Sequence, residues 1–362
     1  MSSQTLFSPF ALKSLHLKNR IVMAPMTRQF SPHGVPTDEV AAYYQRRAEG
    51  GVGLILTEGT VVERPSSKNE RDIPNFYGEA LPAWKKVVDA VHAKGGLIAP
   101  QIWHTGAAAS QGGYDVGPKD TPSGLDLELK AQWAPMTGAD IADTIAAFGR
   151  AAAEAKAAGF DAIELHGAHG YLIDEFFWDK TNRREDQWGG ATIGERTRFA
   201  AEIIRAARAA VGPDFPIIIR LSQFKPGSYD AKVAHTPDEL EAWVRPLLEA
   251  GADIIHASQR RFWEAEFDGS DLNFAGWVKK LTGAPVITVG SVGLSGDFIN
   301  GFAGEKSEPR DLNELLRRLD RGDFDLVAVG RAILSDPHWV EKVRTGADDF
   351  KSFERELLGS LY

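Results

Sequence analysis

The sequence predicts a (β/α)8 barrel, and three observations carry that prediction. Eight short segments rich in Ile, Val and Leu alternate with longer segments of helical periodicity. The short segments lack a clean polar alternation, as parallel strands buried on both faces do. The order helix, glycine, strand also recurs four times. It appears at Gly50-Gly51-Val52-Gly53-Leu54-Ile55, Ala158-Gly159-Phe160-Asp161-Ala162-Ile163, Ala250-Gly251-Ala252-Asp253-Ile254-Ile255 and Arg321-Gly322-Asp323-Phe324-Asp325-Leu326. A glycine just past a helix supplies the left-handed turn from which the chain enters a strand. Repeated αβ units of this kind fit a closed barrel. The competing arrangement is a doubly wound open sheet. It is weakened because no G-x-G-x-x-G follows the first strand and no G-x-x-x-x-G-K-[ST] occurs anywhere.

The elements follow in order. Residues 20–24 form the first strand, and residues 37–48 a helix opened by Thr37 and Asp38, a cap pair. Strand 52–57 and helix 79–93 come next, then strand 97–102. Residues 103–138 separate that strand from its helix, 139–158. A connection this long either covers an active site or decorates the surface. Its Trp103, Gly112, Gly113, Tyr114 and Trp133 favour a lid. Strand 162–166, helix 194–210, strand 217–221 and helix 237–250 continue the alternation, the last capped by Thr236 with Glu239. Strands 253–257 and 286–289, helix 312–319 and strand 326–329 complete it. The whole of 1–362 reads as one barrel domain.

Composition bounds the chemistry. The chain has 362 residues, no cysteine and a formal charge of −9. A disulfide framework, a thiolate metal site, a cysteine nucleophile and a cysteine-ligated iron–sulfur cluster are excluded. An acidic chain with scattered Lys and Arg lacks the basic face that nucleic acid requires. No stretch approaches the roughly 20 apolar residues of a membrane span. Residues 1–15 hold no basic segment followed by an apolar run, so a cytoplasmic protein is expected.

In a barrel the chemistry sits where strands end and their loops begin. His166, His169 and Tyr171 follow the fourth strand. The imidazoles either bind a metal, with Asp174 or Glu175 as third ligand, or donate hydrogen bonds to one substrate oxygen while the phenol delivers a proton to carbon. Arg220 interrupts the apolar run Ile217-Ile218-Ile219-Arg220-Leu221. It is either internally paired, with Glu58 or Glu164, or a fixed cation under an anionic ligand. Gln101 could read the edge of a planar heterocycle with its amide. Gly290-Ser291 and Gly330-Arg331 end the last two strands, where barrels hold phosphate on backbone N–H groups. Together these residues suggest a phosphorylated planar cofactor over the barrel mouth.

Several longer segments stand out: Asn19-Arg20-Ile21-Val22-Met23-Ala24-Pro25-Met26-Thr27-Arg28, Thr57-Glu58-Gly59, Gln101-Ile102-Trp103 and His166-Gly167-Ala168-His169-Gly170-Tyr171-Leu172-Ile173-Asp174-Glu175-Phe176. Asn182-Arg183-Arg184-Glu185-Asp186-Gln187-Trp188-Gly189-Gly190, Arg220 and Val329-Gly330-Arg331 continue the series. The combination of H-x-x-[HN]-G-Y with N-x-R-x-D-x-[YW]-G-G is highly specific. On these segments, and over essentially its whole length, the chain resembles the Old Yellow Enzyme family of FMN-dependent ene-reductases.

The resemblance implies tightly bound FMN at the C-terminal mouth. Pro25, Met26 and Thr27 would pass along the flavin and Gly59 would lie close to the ring. Gln101 would pair with its pyrimidine edge and Arg220 would sit near N1 and O2. Gly290, Ser291, Gly330 and Arg331 would hold the phosphate. His166 and His169 would bind the substrate carbonyl and Tyr171 would donate the proton; no metal is implied. The implied chemistry is ping-pong: NADPH or NADH gives hydride to flavin N5 and leaves, then an α,β-unsaturated carbonyl or nitro compound takes hydride at Cβ and a proton at Cα. Phenols are implied inhibitory ligands, and the protein is expected as a monomer or homodimer. Thr27 with Trp103 resembles one branch of the family and the histidine pair another, which often has cysteine in place of Thr27. Ser291-Val292-Gly293 is not a close match to the family's phosphate loop, and 358–362 shows no arginine finger. Larger relatives carry an iron–sulfur cluster and extra nucleotide domains, which the missing cysteines argue against. A phosphosugar aldolase or isomerase, a metal-dependent barrel hydrolase and a flavin-storing barrel are the competing uses of this scaffold.

Overall fold

The computed structural model describes residues 4–114, 116–225, 228–297, 300–301 and 304–362. An antiparallel hairpin comes first, β1 (Phe10–Leu12) against β2 (Leu15–Leu17). The strand reading did not anticipate it, since three-residue strands carry no periodicity. Leu15 and Leu17 pack against Val22, Leu54, Ala162, Ile218 and Ile254. These lie at or near the starts of barrel strands, so the hairpin plugs the N-terminal end of the barrel.

Eight parallel strands then close on themselves: β3 (Ile21–Met23), β4 (Leu54–Val61), β5 (Leu97–Trp103), β6 (Ile163–Gly167), β7 (Ile217–Ser222), β8 (Ile254–Ser258), β9 (Val286–Val289) and β10 (Leu326–Val329). β10 returns to β3, with Val329 beside Met23. The expected (β/α)8 barrel is therefore the observed architecture. All eight expected strands are present, β9 and β10 with the expected ends.

The helices among the described residues are α1 (Asp38–Glu49), α2 (Ala80–His92), α3 (Gly138–Ala157), α4 (Leu172–Phe177), α5 (Ile193–Arg196), α6 (Arg198–Val211), α7 (Pro237–Glu249), α8 (Phe274–Thr282), α9 (Asn313–Arg321), α10 (Arg331–Ser335) and α11 (Trp339–Thr345). Thr37 and Thr236 cap α1 and α7 by accepting from Val40 and Glu239 N–H. The segment expected as one helix over 194–210 divides at Thr197 into α5 and α6. In each of the four repeats one glycine takes the left-handed turn: Gly51 (φ 95°), Gly159 (φ 89°), Gly251 (φ 116°) and Gly322 (φ 85°). Among the described residues, no helix is long and apolar enough to cross a membrane.

β4 is the strand that differs most from expectation. It runs to Val61, past Glu58 and Gly59, with a register shift against β5 between Leu56 and Gly59. The bulge turns the chain so that Gly59 lies opposite Gln101. A side chain at Gly59 is excluded, because a Cβ there would come within 2.5 Å of the Trp103 ring.

Candidate active site

Polar side chains enter this apolar barrel at the C-terminal ends of its strands. On β6, Glu164 and His166 share one face two residues apart. Arg220 and Ser222 repeat the pattern on β7, and His256 and Ser258 on β8. Register sets His166 beside Arg220 and Arg220 beside His256. The mouth is thus lined by successive polar steps on neighbouring strands.

His166, His169 and Tyr171 converge here. The two imidazole rings lie 5.2 Å apart, and the Tyr171 ring is 5.0 Å from His166. Trp103, from the end of β5, stacks on His166 at 5.7 Å and meets Tyr171 edge-on at 4.5 Å. Phe224 packs on His169 at 5.0 Å. The backbone reverses between the histidine and the tyrosine: His169 has φ 62°, a costly value for a residue with a Cβ, and Gly170 has φ 73°. Neighbouring groups hold this turn. His169 N–H donates to Ser222 Oγ at 2.9 Å and Gly170 N–H to Asp174 Oδ2 at 2.6 Å. Asp174 is itself fixed by a buried ion pair with Lys225 at 2.6 Å.

Burial, and then the Arg220 charge, push both His166 and His169 well below the usual imidazole range, so both rings are neutral. Burial pushes the Tyr171 phenol up to about 12 against the opposing Arg220 charge, which keeps it protonated. His169 Nε2 lies 2.9 Å from Ser258 Oγ, and His166 Nδ1 is buried without a partner among the described residues. The carboxylates that could complete a metal site are engaged elsewhere, Asp174 with Lys225 and Glu175 under Ala107 N–H at 2.7 Å. No group of three or more His, Asp or Glu is arranged to hold a metal among the described residues.

Arg220 makes no direct ion pair with either expected carboxylate. Its Nη2 donates to Ser258 Oγ at 3.2 Å, its Nε is buried and unpartnered among the described residues, and Glu164 acts on it only as a nearby charge. Gln101 donates through Nε2 to Glu164 at 2.7 Å. Pro25 and Met26 are half-buried and Thr27 is exposed at the rim. At the ends of β9 and β10, Gly290 has φ 152°, and a Cβ there would strike the Gln259 carbonyl at 2.5 Å. Ser291 Oγ lies 2.9 Å from the Gly296 carbonyl, to which Arg331 Nη2 donates at 2.7 Å, while Arg331 Nη1 donates to the Asp297 carbonyl at 2.8 Å. Gly290, Ser291, Gly330 and Arg331 are therefore brought together, and the Arg331 side chain builds the loop rather than extending from it. A buried guanidinium with no direct ion pair among the described residues, an apolar Pro25–Met26 shelf and a glycine-lined loop suit a planar group with an electron-rich edge and a phosphate tail.

The sequence offers Glu58 as a partner for Arg220 and within the segment Thr57-Glu58-Gly59. In the structure its Oε2 accepts from Arg28 N–H at 2.8 Å and Gln29 N–H at 2.9 Å, fixing the chain just after Thr27. Burial pushes its carboxyl up to about 7, although those two N–H groups act the other way. A buried acid whose pKa is raised stabilises the fold fully below its ordinary value near 4.5 and loses that contribution as pH rises through about 7. Wild-type protein should therefore lose about 3 kcal/mol from this group between pH 4 and pH 8. Glu58→Gln should flatten that part of the profile. Denaturant titrations at several pH values check this, and identical profiles for the two proteins would contradict it.

Residues 104–137 leave the mouth beside Trp103. Arg64 and His104 both contact Asp120 at 3.1 Å, and Leu172 N–H donates to the His104 carbonyl at 3.1 Å. Burial alone would raise the Asp120 carboxyl, but His104 and Arg64 hold it down at about 2. The loop is thus tied to the same helix, α4, that follows Tyr171.

The NADH:flavin oxidoreductase / NADH oxidase family model matches residues 5–349. The chain is 33% identical to 12-oxophytodienoate reductase 7 of Oryza sativa subsp. japonica, covering 94% of this chain and 88% of that protein. It is 34% identical to NADPH dehydrogenase of Listeria innocua serovar 6a, with 93% of each covered. An NADH oxidase of Thermoanaerobacter brockii is also 34% identical over 94% of this chain, which spans about half (51%) of that larger protein. Among solved structures, morphinone reductase superposes with a TM-score of 0.79 at 29% identity, covering 98% of this chain and 92% of that one. Morphinone reductase has also been solved in complex with tetrahydroNAD, and that structure gives a TM-score of 0.80 at 28% identity, covering 98% of this chain and 93% of that one. The chain belongs to the NADH:flavin oxidoreductase / NADH oxidase family, the Old Yellow Enzyme family, and is an NAD(P)H-dependent flavin oxidoreductase.

Proposed function

We propose that the protein is an FMN-dependent ene-reductase, with NADPH or NADH as hydride donor and an α,β-unsaturated carbonyl compound or nitroalkene as acceptor. The observation that carries this reading is the convergence of two neutral imidazoles and one protonated phenol on a single mouth floored by a guanidinium whose Nε has no partner among the described residues. Relatives named for 12-oxophytodienoate and morphinone support a ketone-bearing substrate. Pro25, Met26, Thr27, Gly59, Gln101 and Arg220 would line the ring of FMN, and Gly290, Ser291, Gly330 and Arg331 its phosphate. When bound, FMN supplies the acceptance and delivery of hydride.

The chain's own residues do the rest. His166 and His169 can each donate one N–H to the activating oxygen of the substrate, where negative charge grows as hydride reaches Cβ. Their neutrality matters, because a preorganised neutral donor stabilises that charge without offering it a proton. Tyr171 supplies the proton to Cα. Trp103 and residues 104–137 shield the site from water, the loop acting as a lid.

Phenolates mimic the anionic oxygen, so they should bind at the histidine pair. Replacing either His166 or His169 with alanine should weaken phenol binding by about 1.5–3 kcal/mol, one charge-assisted hydrogen bond. Spectral titration with a substituted phenol checks this, and unchanged affinity in both variants would reject the oxyanion role. The reading as a whole is tested by denaturing the purified protein and identifying what it releases: FMN is expected, and FAD or no flavin would overturn it.

A further inference from the structure

Glu164 lies beneath the residues that the proposed chemistry uses. It is fully buried, and a different neighbour takes each of its oxygens. Gln101 Nε2 donates to Oε1 at 2.7 Å, and His256 Nδ1 lies 2.6 Å from Oε2. Gln101 and Glu164 sit opposite each other across β5 and β6, and Arg220 and His256 across β7 and β8. The four groups therefore form one buried set across four adjacent strands. Two of its nitrogens, Arg220 Nε and His256 Nε2, have no partner among the described residues.

This arrangement has two consequences. A side-chain amide cannot aim both its ends the same way. With Nε2 committed to Glu164, the carbonyl oxygen of Gln101 faces elsewhere, so Gln101 presents an acceptor to whatever lies against it. The second consequence concerns charge. Among the described residues Arg220 touches no carboxylate, so its cation is available to the mouth, but Glu164 on the adjacent strand β6, one same-face step below the residue beside Arg220, offsets it as a nearby charge. His256 bears on the carboxylate oxygen that Gln101 leaves open.

We propose that Glu164 is a positioning residue that fixes the orientation of Gln101 and, held by His256, partly neutralises Arg220, so that Arg220 and Glu164 jointly set the reduction potential of the bound flavin. This rests on the FMN reading above and assigns a role to residues that touch the cofactor only through Gln101 and Arg220. It requires an ionised Glu164 facing a His256 that carries its proton on Nδ1.

Two measurements test it on the holoprotein. Spectroelectrochemical titration of Glu164→Gln should show the potential shifted upward, because the Arg220 cation is no longer offset. The shift should match about a tenfold gain in affinity for reduced over oxidised FMN. Glu164→Asp keeps the charge and shortens the reach, so it should weaken FMN binding with little change in potential. An unchanged or lowered potential in flavin-loaded Glu164→Gln would overturn the proposal. The second measurement needs no variant. In wild-type holoprotein, nitrogen NMR of His256 should report a protonated Nδ1 and an unprotonated Nε2 between pH 6 and pH 9. A proton-free Nδ1 would mean that Glu164 is the donor and uncharged, and would also overturn the proposal. Failure of the FMN reading would look different, since there would be no bound flavin to titrate.

Discussion

Tyr171→Phe is expected to slow enone reduction by about 10²–10⁴-fold, the usual range for losing a general acid. It should leave the half-reaction with NADPH nearly unchanged. The substitution keeps the ring that packs against Trp103 and His166 and removes only the hydroxyl. Hydride arrival at Cβ creates an enolate-like centre. The imidazoles can hold its oxygen, but Cα still needs a proton. A phenol raised to about 12 is a weak acid in water, yet it stays fully protonated across the working pH range, and the proposed reading sets it beside the reacting centre. Nitroalkenes should suffer less at the hydride step, because a nitronate is stable enough to leave and be protonated in solution. Rapid mixing of each half-reaction separately checks this. Equal slowing of both would indicate a displaced cofactor, and no slowing with enones would assign the proton to another donor.

Arg220→Ala is expected to lower the flavin potential and weaken cofactor retention. A cation buried in the barrel mouth with its Nε unpaired interacts with charge at a low effective dielectric. At about 5 Å and an effective dielectric near 20, its loss costs the anionic reduced state about 3 kcal/mol, roughly a hundredfold in affinity. Glu164 reduces that figure by offsetting part of the charge. The shift has the opposite sign to the one expected for Glu164→Gln. Potentiometry on reconstituted protein decides the matter, and an unchanged or raised potential would remove Arg220 from the cofactor edge.

Much of the barrel could be read from the chain because its strands are buried on both faces. Runs such as 286–289 and 326–329 are short, apolar and valine-rich with sharp ends, and the structure keeps those ends. The sequence ends strand 52–57 at Thr57, because Glu58 and Gly59 read as a strand terminus, whereas the bulge against β5 carries the ladder on to Val61. The sequence reading names no helix over 274–282, although Asn273 caps α8 by accepting from Gly276 N–H. The residues of the mouth were legible where a polar group interrupts an apolar run or ends a strand, as Arg220 and His166 do. Glu164 and His256 were harder, since their roles arise from register between strands distant in sequence. The available signal was the polar alternation Glu164/His166, Arg220/Ser222 and His256/Ser258 inside otherwise apolar strands. The Asp174–Lys225 and His104–Asp120 contacts had no such signal, because neither spacing follows a helix or strand period.

The most direct test of the account is anaerobic sequential mixing. The enzyme is first reduced with one equivalent of NADPH, freed of the oxidised nucleotide, and then mixed with a panel of enones and nitroalkenes. The account predicts rapid reoxidation with one equivalent of saturated product per flavin, and with enones the solvent-derived hydrogen at Cα. A reduced enzyme that stays reduced in the presence of every enone and nitroalkene tested, and reoxidises only when oxygen is admitted, would contradict it.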